Sequence, residues 1–294
     1  MRYWFSVCAL VVCAFGGTEV FGQQQQQQSE PPKQAPAAQT GQTSDEPESG
    51  DGLTSVMLGG WYNPSHPDMK TGHGSTLDNP SNLDFPGKNQ PTPYVVVTLP
   101  GGQYGNVRIS YFRTQGHGNV NAGSNLSFFG TDYSTGDYLN VRSTLQNAKI
   151  SWDYLTWPYP PAGHNWRVKL LFEAQYTTIS SNFNAPLKPT VDSSGNPLVT
   201  TASGSNSLIY PTFGLAPERL LSKHLRWETR ASGFLIPHHG TIWDAESYLA
   251  YKSGRFEFRL GGKAFHIKTS PTKEEYITYT LPGAFVGFCW YPGQ

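Results

Sequence analysis

Beyond residue 52 the chain alternates between apolar and polar residues with the period of two that is typical of β-strands. The clearest segment is Trp166–Tyr176, whose apolar row begins and ends on an aromatic residue while its other row is mostly charged or polar. A second segment, Ala148–Tyr154, repeats the pattern. Such segments match strands that place apolar residues against lipid and polar residues in the lumen of a barrel.

The same period predicts ten strands in all. They are Leu53–Tyr62, Thr92–Leu99, Asn106–Thr114, Ala148–Tyr154, Trp166–Tyr176, Ser207–Leu215, Leu225–Ile236, Thr241–Tyr251, Arg255–Lys268 and Tyr276–Tyr291. No heptad, 3.6-residue stripe or repeat of about 20 to 50 residues competes with this interpretation.

The connections between these strands alternate in length. Long polar connections rich in Gly, Asn, Ser and Pro follow the first, third and fifth strands, at Asn63–Pro91, Gln115–Tyr138 and Ser180–Asn206. Short ones follow the second, fourth, sixth and eighth, at 100–103, 158–165, 216–224 and 252–254. This alternation is typical of bacterial barrels, which have short turns on the periplasmic side and long loops outside. We therefore predict an all-β, closed antiparallel transmembrane barrel with meander topology and about ten strands, within a range of about 8 to 12.

Aromatic residues at the strand ends fit the girdles that such barrels place at the membrane interfaces. Those near the expected periplasmic rim are Trp157, Tyr159, Trp166, Trp227, Tyr251, Trp290 and Tyr291. Packing in the core of a soluble secreted β-sandwich remains an alternative for these rings. The final strand, which closes on Trp290-Tyr291, resembles the C-terminal assembly signal of outer-membrane barrels, although Pro292-Gly293-Gln294 follow it.

With these features, residues 53–294 resemble an outer-membrane β-barrel of the broad porin-like and OmpA-like kind. The resemblance implies contact with outer-membrane lipid and lipopolysaccharide, and insertion by the barrel assembly machinery. It also implies long loops outside the cell and an N-terminal tail in the periplasm. It implies no particular activity, because one fold supports many functions.

Two segments precede the barrel. Residues 1–22 contain Arg2, an apolar run from Val7 to Phe15 and small residues near Gly22, which predicts a cleaved secretory signal peptide. A buried N-terminal helix and a lipoprotein signal fit less well, since a polyglutamine run follows and Val12 precedes Cys13. Residues 23–52 are rich in Gln and Pro and nearly devoid of aromatic or branched aliphatic residues, so we expect disorder.

Composition narrows the function classes. With 21 basic and 21 acidic residues the net charge is zero, which disfavours nucleic acid as a partner. Only 14% of residues are charged, and no apolar run after residue 22 approaches the roughly 20 residues of a membrane-spanning helix. Cys289 alone would remain after removal of the signal peptide, so we expect no internal disulfide.

The polar row of the strands predicts a charged lumen. The bases expected there are Arg108, Lys149, Arg167, Lys169, Arg226, Arg230, Arg259 and Lys263, and the acids are Asp153, Glu173, Glu228, Asp244, Glu246 and Glu257. A ten-stranded barrel is only slightly wider than the eight-stranded kind that side chains fill, so these charges should pair and close it. A narrow path for a small solute or ion remains open as an alternative.

Catalytic signals are weak. His238 and His239, followed by Asp244 and Glu246, could form a base activated by a carboxylate at the outer rim, as in a protease or an enzyme that modifies lipid A. A metal on His238, His239 and Asp244 lacks a four-ligand motif. His266 follows Gly261-Gly262, where we expect a bulge.

No cofactor motif is present, and no extracellular ligand is indicated. Three hypotheses remain: a non-enzymatic barrel, a rim hydrolase and a secreted β-sandwich.

Overall fold

The main sheet of this protein is antiparallel, and most of its paired strands follow one another in the chain. The computed structural model describes residues 52–63, 68–71, 81–84, 91–102, 104–122, 125–157, 165–236, 240–269 and 275–293. Its fourteen strands are β1 Ser55–Tyr62, β2 Asp68–Thr71, β3 Ser81–Asp84, β4 Pro91–Pro100, β5 Gly105–Asn121, β6 Leu126–Phe128, β7 Thr131–Tyr133, β8 Tyr138–Trp157, β9 Trp166–Asn184, β10 Thr201–Leu220, β11 Leu225–Ile236, β12 Gly240–Ser253, β13 Phe256–Lys268 and β14 Glu275–Trp290. In these residues no helix is long or apolar enough to cross a membrane.

Ten of these strands, namely β1, β4, β5 and β8 to β14, form a closed barrel in which each pairs with its neighbours in chain order. The sheet closes where β1 pairs antiparallel with β14, from Val56 opposite Trp290 to Tyr62 opposite Ala284. The predicted meander barrel of ten strands is therefore confirmed, and the two-sheet sandwich is excluded. We call the end where β1 begins and β14 ends the base, and the opposite end the rim.

The first strand continues past Tyr62. Strand β2 pairs with the rim end of β14, where Asp68 lies opposite Thr278. This pair is six residues closer to the rim, on each strand, than the pair of Tyr62 and Ala284. It keeps the same register, so β2 extends the wall begun by β1. Strand β3 then pairs back on β2. The long connection predicted for 63–91 thus contains part of the wall.

The wall is highest at β5, β8, β9 and β10, each of which has 17 to 20 residues. The sequence pattern predicted shorter strands here. It missed the rim halves because their outward residues are polar, as at Ser180 and Asn182 on β9 and Ser205 on β10, so that no apolar row marks them. The loops predicted at 115–138 and 180–206 therefore contain the rim ends of these strands.

The outside of the barrel carries an apolar belt. On β9 the outward row runs from Trp166 to Tyr176. This row covers about 33 Å along the strand, or about 25 Å after the usual tilt of a barrel strand, which is the height of the apolar band of transmembrane barrels. Above the belt, the Tyr176 hydroxyl donates to Ser207 at 3.2 Å and the Tyr111 hydroxyl to Gln146 at 3.2 Å. These two tyrosines mark the rim-side edge of the belt, since tyrosine rings favour such boundaries.

Tryptophans mark the opposite edge. Trp157, Trp166, Trp227 and Trp290 are all exposed near the base, as the sequence predicted, and so is Tyr251. Tyr159 lies outside the described residues. The prediction for Tyr291 is wrong: this residue is buried and points into the lumen, because it follows the outward-facing Trp290 and successive residues point to opposite faces.

The expected bulge at Gly261-Gly262 is also wrong, because β13 pairs without interruption with β12 and with β14. What changes along this strand is the chemistry of the inward row, which passes from the charged Arg259 and Lys263 to the apolar Phe265 and Ile267. His266 faces outward, where it stacks on Trp243 with ring centroids 5.4 Å apart.

The rim half of the interior is apolar. Trp61 packs edge-on against Phe112 at 5.4 Å, and Phe112 against Phe265 at 5.2 Å. The cluster continues toward the rim through Ile179 and Phe183 of β9. The sequence analysis assigned polar residues to the lumen throughout and did not anticipate this layer.

A hairpin of β6 and β7 covers the inner face of β9 and β10 at the rim. Its two-residue turn has positive φ at both Phe129 and Gly130, which is the geometry of a type I′ turn. The ring of Phe129 packs on Phe183, and it occupies the space that a Cβ at Gly204 would need. Burial, with a smaller contribution from Asp137, raises the pKa of the Tyr133 phenol to about 12. This hairpin therefore belongs to the folded interior.

A charge in the belt should destabilise the barrel. We expect Phe172→Arg, near the centre of the belt on β9, to lower the free energy of unfolding by about 2–4 kcal/mol in lipid vesicles. Ser180→Arg is the matched control, because Ser180 shares the strand and the face but lies beyond the belt. Urea titration of both variants measures the difference, and equal stabilities would contradict the assignment of the belt.

Candidate functional site

The base half of the lumen contains the largest cluster of chemically distinctive side chains that the structure describes. All fourteen charged residues expected in the lumen are buried in it. Two further charged residues, Glu218 and Lys252, are buried with them, so the interior holds nine bases and seven acids among the described residues. Alternation places them there, because every second residue of a barrel strand points inward.

The rim-side layer of this network is built around Asp244 of β12. Lys149 Nζ lies 2.9 Å from Asp244 Oδ2, and Lys263 Nζ lies 2.7 Å from Asp244 Oδ1. Lys149 also approaches Glu173 at 3.4 Å, and Lys263 approaches Glu246 at 3.4 Å. Two ammonium groups and three carboxylates thus link β8, β9, β12 and β13 across the lumen.

Arg108 of β5 joins this layer to the base. Its Nη2 lies 2.6 Å from Glu246 Oε1 and donates to the Tyr94 hydroxyl at 3.1 Å. The charged layer meets the apolar one at Lys263, whose Nζ lies 5.0 Å from the ring centre of Tyr94 and 5.9 Å from that of Trp61. Cation–π contacts of this kind stabilise a buried ammonium next to aromatic packing.

Arginines dominate the layer nearer the base. Arg230 Nη2 lies 2.8 Å from Asp153 Oδ2, and its Nη1 lies 3.0 Å from Glu228 Oε1. Nη2 of Arg226 donates to both carboxylate oxygens of Glu257, at 2.8 and 3.0 Å. Such charge-assisted hydrogen bonds are stronger than those between neutral groups.

Tyrosines close the network at the base. Tyr291 donates its hydroxyl to Glu257 at 3.1 Å, and its ring lies 4.8 Å from Lys252 Nζ. Arg259 Nε lies 2.6 Å from Glu257 Oε1, and its guanidinium lies 5.0 Å from the ring centre of Tyr248. Tyr291 thus contributes to the interior instead of the outer girdle.

Glu218 is one of the two charged members that the sequence analysis missed. It is fully buried on β10, where Lys169 Nζ lies 2.9 Å from its Oε2 and Arg226 Nη1 lies 3.8 Å from its Oε1. The sequence analysis assigned 216–224 to a short connection. The alternation of β10 continues through Pro217, so extending it would have found Glu218.

The structure describes two of the four catalytic candidates. Asp244 and Glu246 lie in the lumen, paired with Lys149, Lys263 and Arg108. His238 and His239 lie outside the described residues, so their pairing with these carboxylates stays a prediction. No group of three potential metal ligands occurs in the part of the chain that the structure describes.

This arrangement can neutralise charge and close the lumen. Ion pairs that link β8 to β12 and β5 to β12 cross the barrel, because these strands are not neighbours in the sheet. Buried charges need such partners, since an isolated ion in the interior costs several kcal/mol. A path along the base half would require several of these pairs to separate.

Removal of one shared acid tests the network. We expect Asp244→Asn to lower the free energy of unfolding by about 3–5 kcal/mol, because two buried ammonium groups lose a carboxylate. Asp132→Asn, at an exposed position of the β6–β7 hairpin, should change it by less than about 0.5 kcal/mol. Denaturant titration of the folded protein in detergent gives both values. A loss below about 1 kcal/mol in Asp244→Asn would refute a tightly coupled network.

Comparison with known proteins supports the fold. No protein-family model matches the sequence, and neither does any curated protein. Among solved structures, the chain is similar to the outer membrane protease OmpT from Escherichia coli, with a TM-score of 0.52 and 8% identity over 81% of this chain and 95% of that one. A major outer membrane protein from Thermus thermophilus matches with a TM-score of 0.34 and 13% identity, over 81% of this chain and 97% of that one. The Pseudomonas putida toluene transporter TodX matches with a TM-score of 0.32 and 9% identity, over 81% and 90%. At such low identity, the likeness to OmpT concerns the barrel fold alone.

Proposed function

We propose that this chain is an integral outer-membrane β-barrel with a blocked interior, and that it acts through its rim in a structural or adhesive role. One observation carries the proposal: the interior is filled by charged residues at the base and mainly by apolar ones toward the rim, while the exterior carries an apolar belt. Ile209 on the outside is 73% exposed, whereas Glu218 inside is fully buried. This inversion of the usual soluble pattern suits a protein whose solvent is lipid.

The proposed orientation places the base in the periplasm and the rim outside the cell. Support comes from the connections. Those at the base have at most eight residues, as between β12 and β13, whereas three at the rim are longer, as between β9 and β10. Lipopolysaccharide and other outer-membrane lipids would then contact the belt. Insertion by the barrel assembly machinery would deliver the protein there, with the N-terminal tail on the periplasmic side.

The outer wall of the rim suits contact with polar partners. Above Tyr176, the outward row of β9 consists of Thr178, Ser180, Asn182 and Asn184. The facing row of β10 presents Ser203, Ser205 and Ser207. A rigid sheet of hydroxyl and amide groups can bind sugars or protein surfaces, because its backbone is already ordered by strand pairing.

The alternatives are supported less well. A narrow solute path would have to pass both the paired charges around Asp244 and the packed rings of Trp61, Phe112 and Phe265. A rim hydrolase is supported less because the carboxylates expected for it, Asp244 and Glu246, already pair with lumen bases. Each alternative would yield a measurable activity that the blocked barrel lacks.

Conductance separates a blocked barrel from a channel. Purified protein inserted into planar lipid bilayers should show no defined unitary conductance, because both interior layers are packed. Insertion should be verified on the same preparation by the change in its gel migration after boiling, since folded barrels resist detergent until heated. Reproducible single-channel steps from the wild type would refute the blocked interior and favour the solute path.

Surface labelling tests the orientation. We expect Ser127→Cys, exposed in the β6–β7 hairpin, to react with a membrane-impermeant maleimide on intact cells. Ser253→Cys, exposed in the turn at the base, should react only after the outer membrane is permeabilised. Background should be low, because Cys289 is buried. The reverse labelling pattern would refute the orientation, and equal labelling of both sites without permeabilisation would refute the membrane location.

A further inference from the structure

A small cavity lies within the charged layer at the base. It has a volume of about 40 Å³ and is lined by five bases, Arg108, Lys169, Arg226, Arg230 and Arg259. Only two of the described acids, Asp153 and Glu228, line it with them. A space of this size holds two or three waters or one small ion, since a single water needs about 10–15 Å³ on the same measure.

The carboxylates that line the cavity already have an arginine partner. Asp153 Oδ2 lies 2.8 Å from Arg230 Nη2, and Glu228 Oε1 lies 3.0 Å from Arg230 Nη1. Arg108, Arg226 and Arg259 bring three further guanidinium groups to the same lining. Guanidinium groups that are clustered in this way attract an anion, because they are always charged and donate several hydrogen bonds.

Two hydrogen-bond donors of the arginines that line the cavity lack an acceptor among the described residues. The Nε atoms of Arg108 and Arg226 are buried and have no hydrogen-bond partner among the described residues. Ser55 and Asn106, at the base ends of β1 and β5, add a hydroxyl and an amide to the lining. Buried donors of this kind are rarely left unsatisfied, so a missing acceptor is expected nearby.

We propose that the basal cavity binds a small inorganic anion of about the size of chloride. The anion would accept hydrogen bonds from the arginines that line the cavity. The site goes beyond the proposed function and does not depend on it, because a conducting barrel could hold the same anion. The conductance measurement and the binding measurement can therefore fail separately.

Bromide is the probe for direct detection. Crystals of the full chain grown in sodium bromide in place of sodium chloride should show an anomalous scattering peak inside the cavity, in contact with Arg226 or Arg230. Density without anomalous signal would mean that only water occupies the cavity and would overturn the proposal. A peak that appears only at molar bromide would mark an adventitious ion only and would overturn it too.

Thermal unfolding supplies the second measurement. At equal ionic strength, chloride should raise the unfolding midpoint over that in gluconate, which is too large to enter, by about 3–6 °C when chloride is about tenfold above its Kd. Equal midpoints in the two salts would contradict binding. Unfolding can be followed by gel migration of samples heated in detergent.

Arg259→Gln should abolish this difference between the salts. Glu257 keeps its partner Arg226 in that variant, so the barrel should still fold. Lys149→Gln is the matched control: it also removes a lumen base, and Asp244 keeps Lys263, but Lys149 does not line the cavity. The control should retain the chloride effect. Loss of the effect in both variants, or in neither, would overturn the assignment to the cavity, and the bromide experiment on the wild type decides the matter if Arg259→Gln does not fold.

Discussion

Hydrogen bonding between the first and last barrel strands is the constraint on which the rest depends. A sheet edge exposed to hydrocarbon would leave backbone N–H and C=O groups without partners, at a cost of several kcal/mol each. Pairing of β1 with β14 removes that edge, and β2 extends the pairing toward the rim. Once the sheet closes, every strand has one face outside and one face inside, so a period of two in the sequence becomes an apolar belt and a separate interior.

The closed sheet encloses a narrow lumen, and side chains fill this lumen in two different ways. At the base the solution is electrostatic, with arginines and lysines held by carboxylates from strands across the barrel. Toward the rim the solution is aromatic and aliphatic packing around Trp61, Phe112 and Phe265. The two solutions meet at Lys263, whose ammonium bonds carboxylates on one side and lies over aromatic rings on the other. Both layers obstruct passage, each for a different physical reason.

The height of the wall links this interior to the proposed role. Strands β8, β9 and β10 rise beyond the belt edge marked by Tyr176, where their outward residues become Ser, Thr and Asn while their inward residues, such as Phe183, stay apolar. The protruding part is therefore built like the wall of a water-soluble barrel, and the β6–β7 hairpin fills its inner side. A rigid polar surface at this height is what a structural or adhesive function outside the membrane requires.

Sequence alone determined the strand number, the order of pairing and the facing of most side chains, because alternation and loop length are local properties. It therefore placed Arg230 and Asp244 on the inward row. Tertiary structure decided which acid meets which base, since Lys149 and Asp244 are 95 residues apart and approach only when the barrel closes. It also decided that β10 runs on past Leu215, which brings Glu218 into the network, and that β9 runs on past Tyr176, which brings Phe183 into the interior. These outcomes depend on strand length, and strand length is set by pairing with a neighbour that the pattern of a single strand does not reveal.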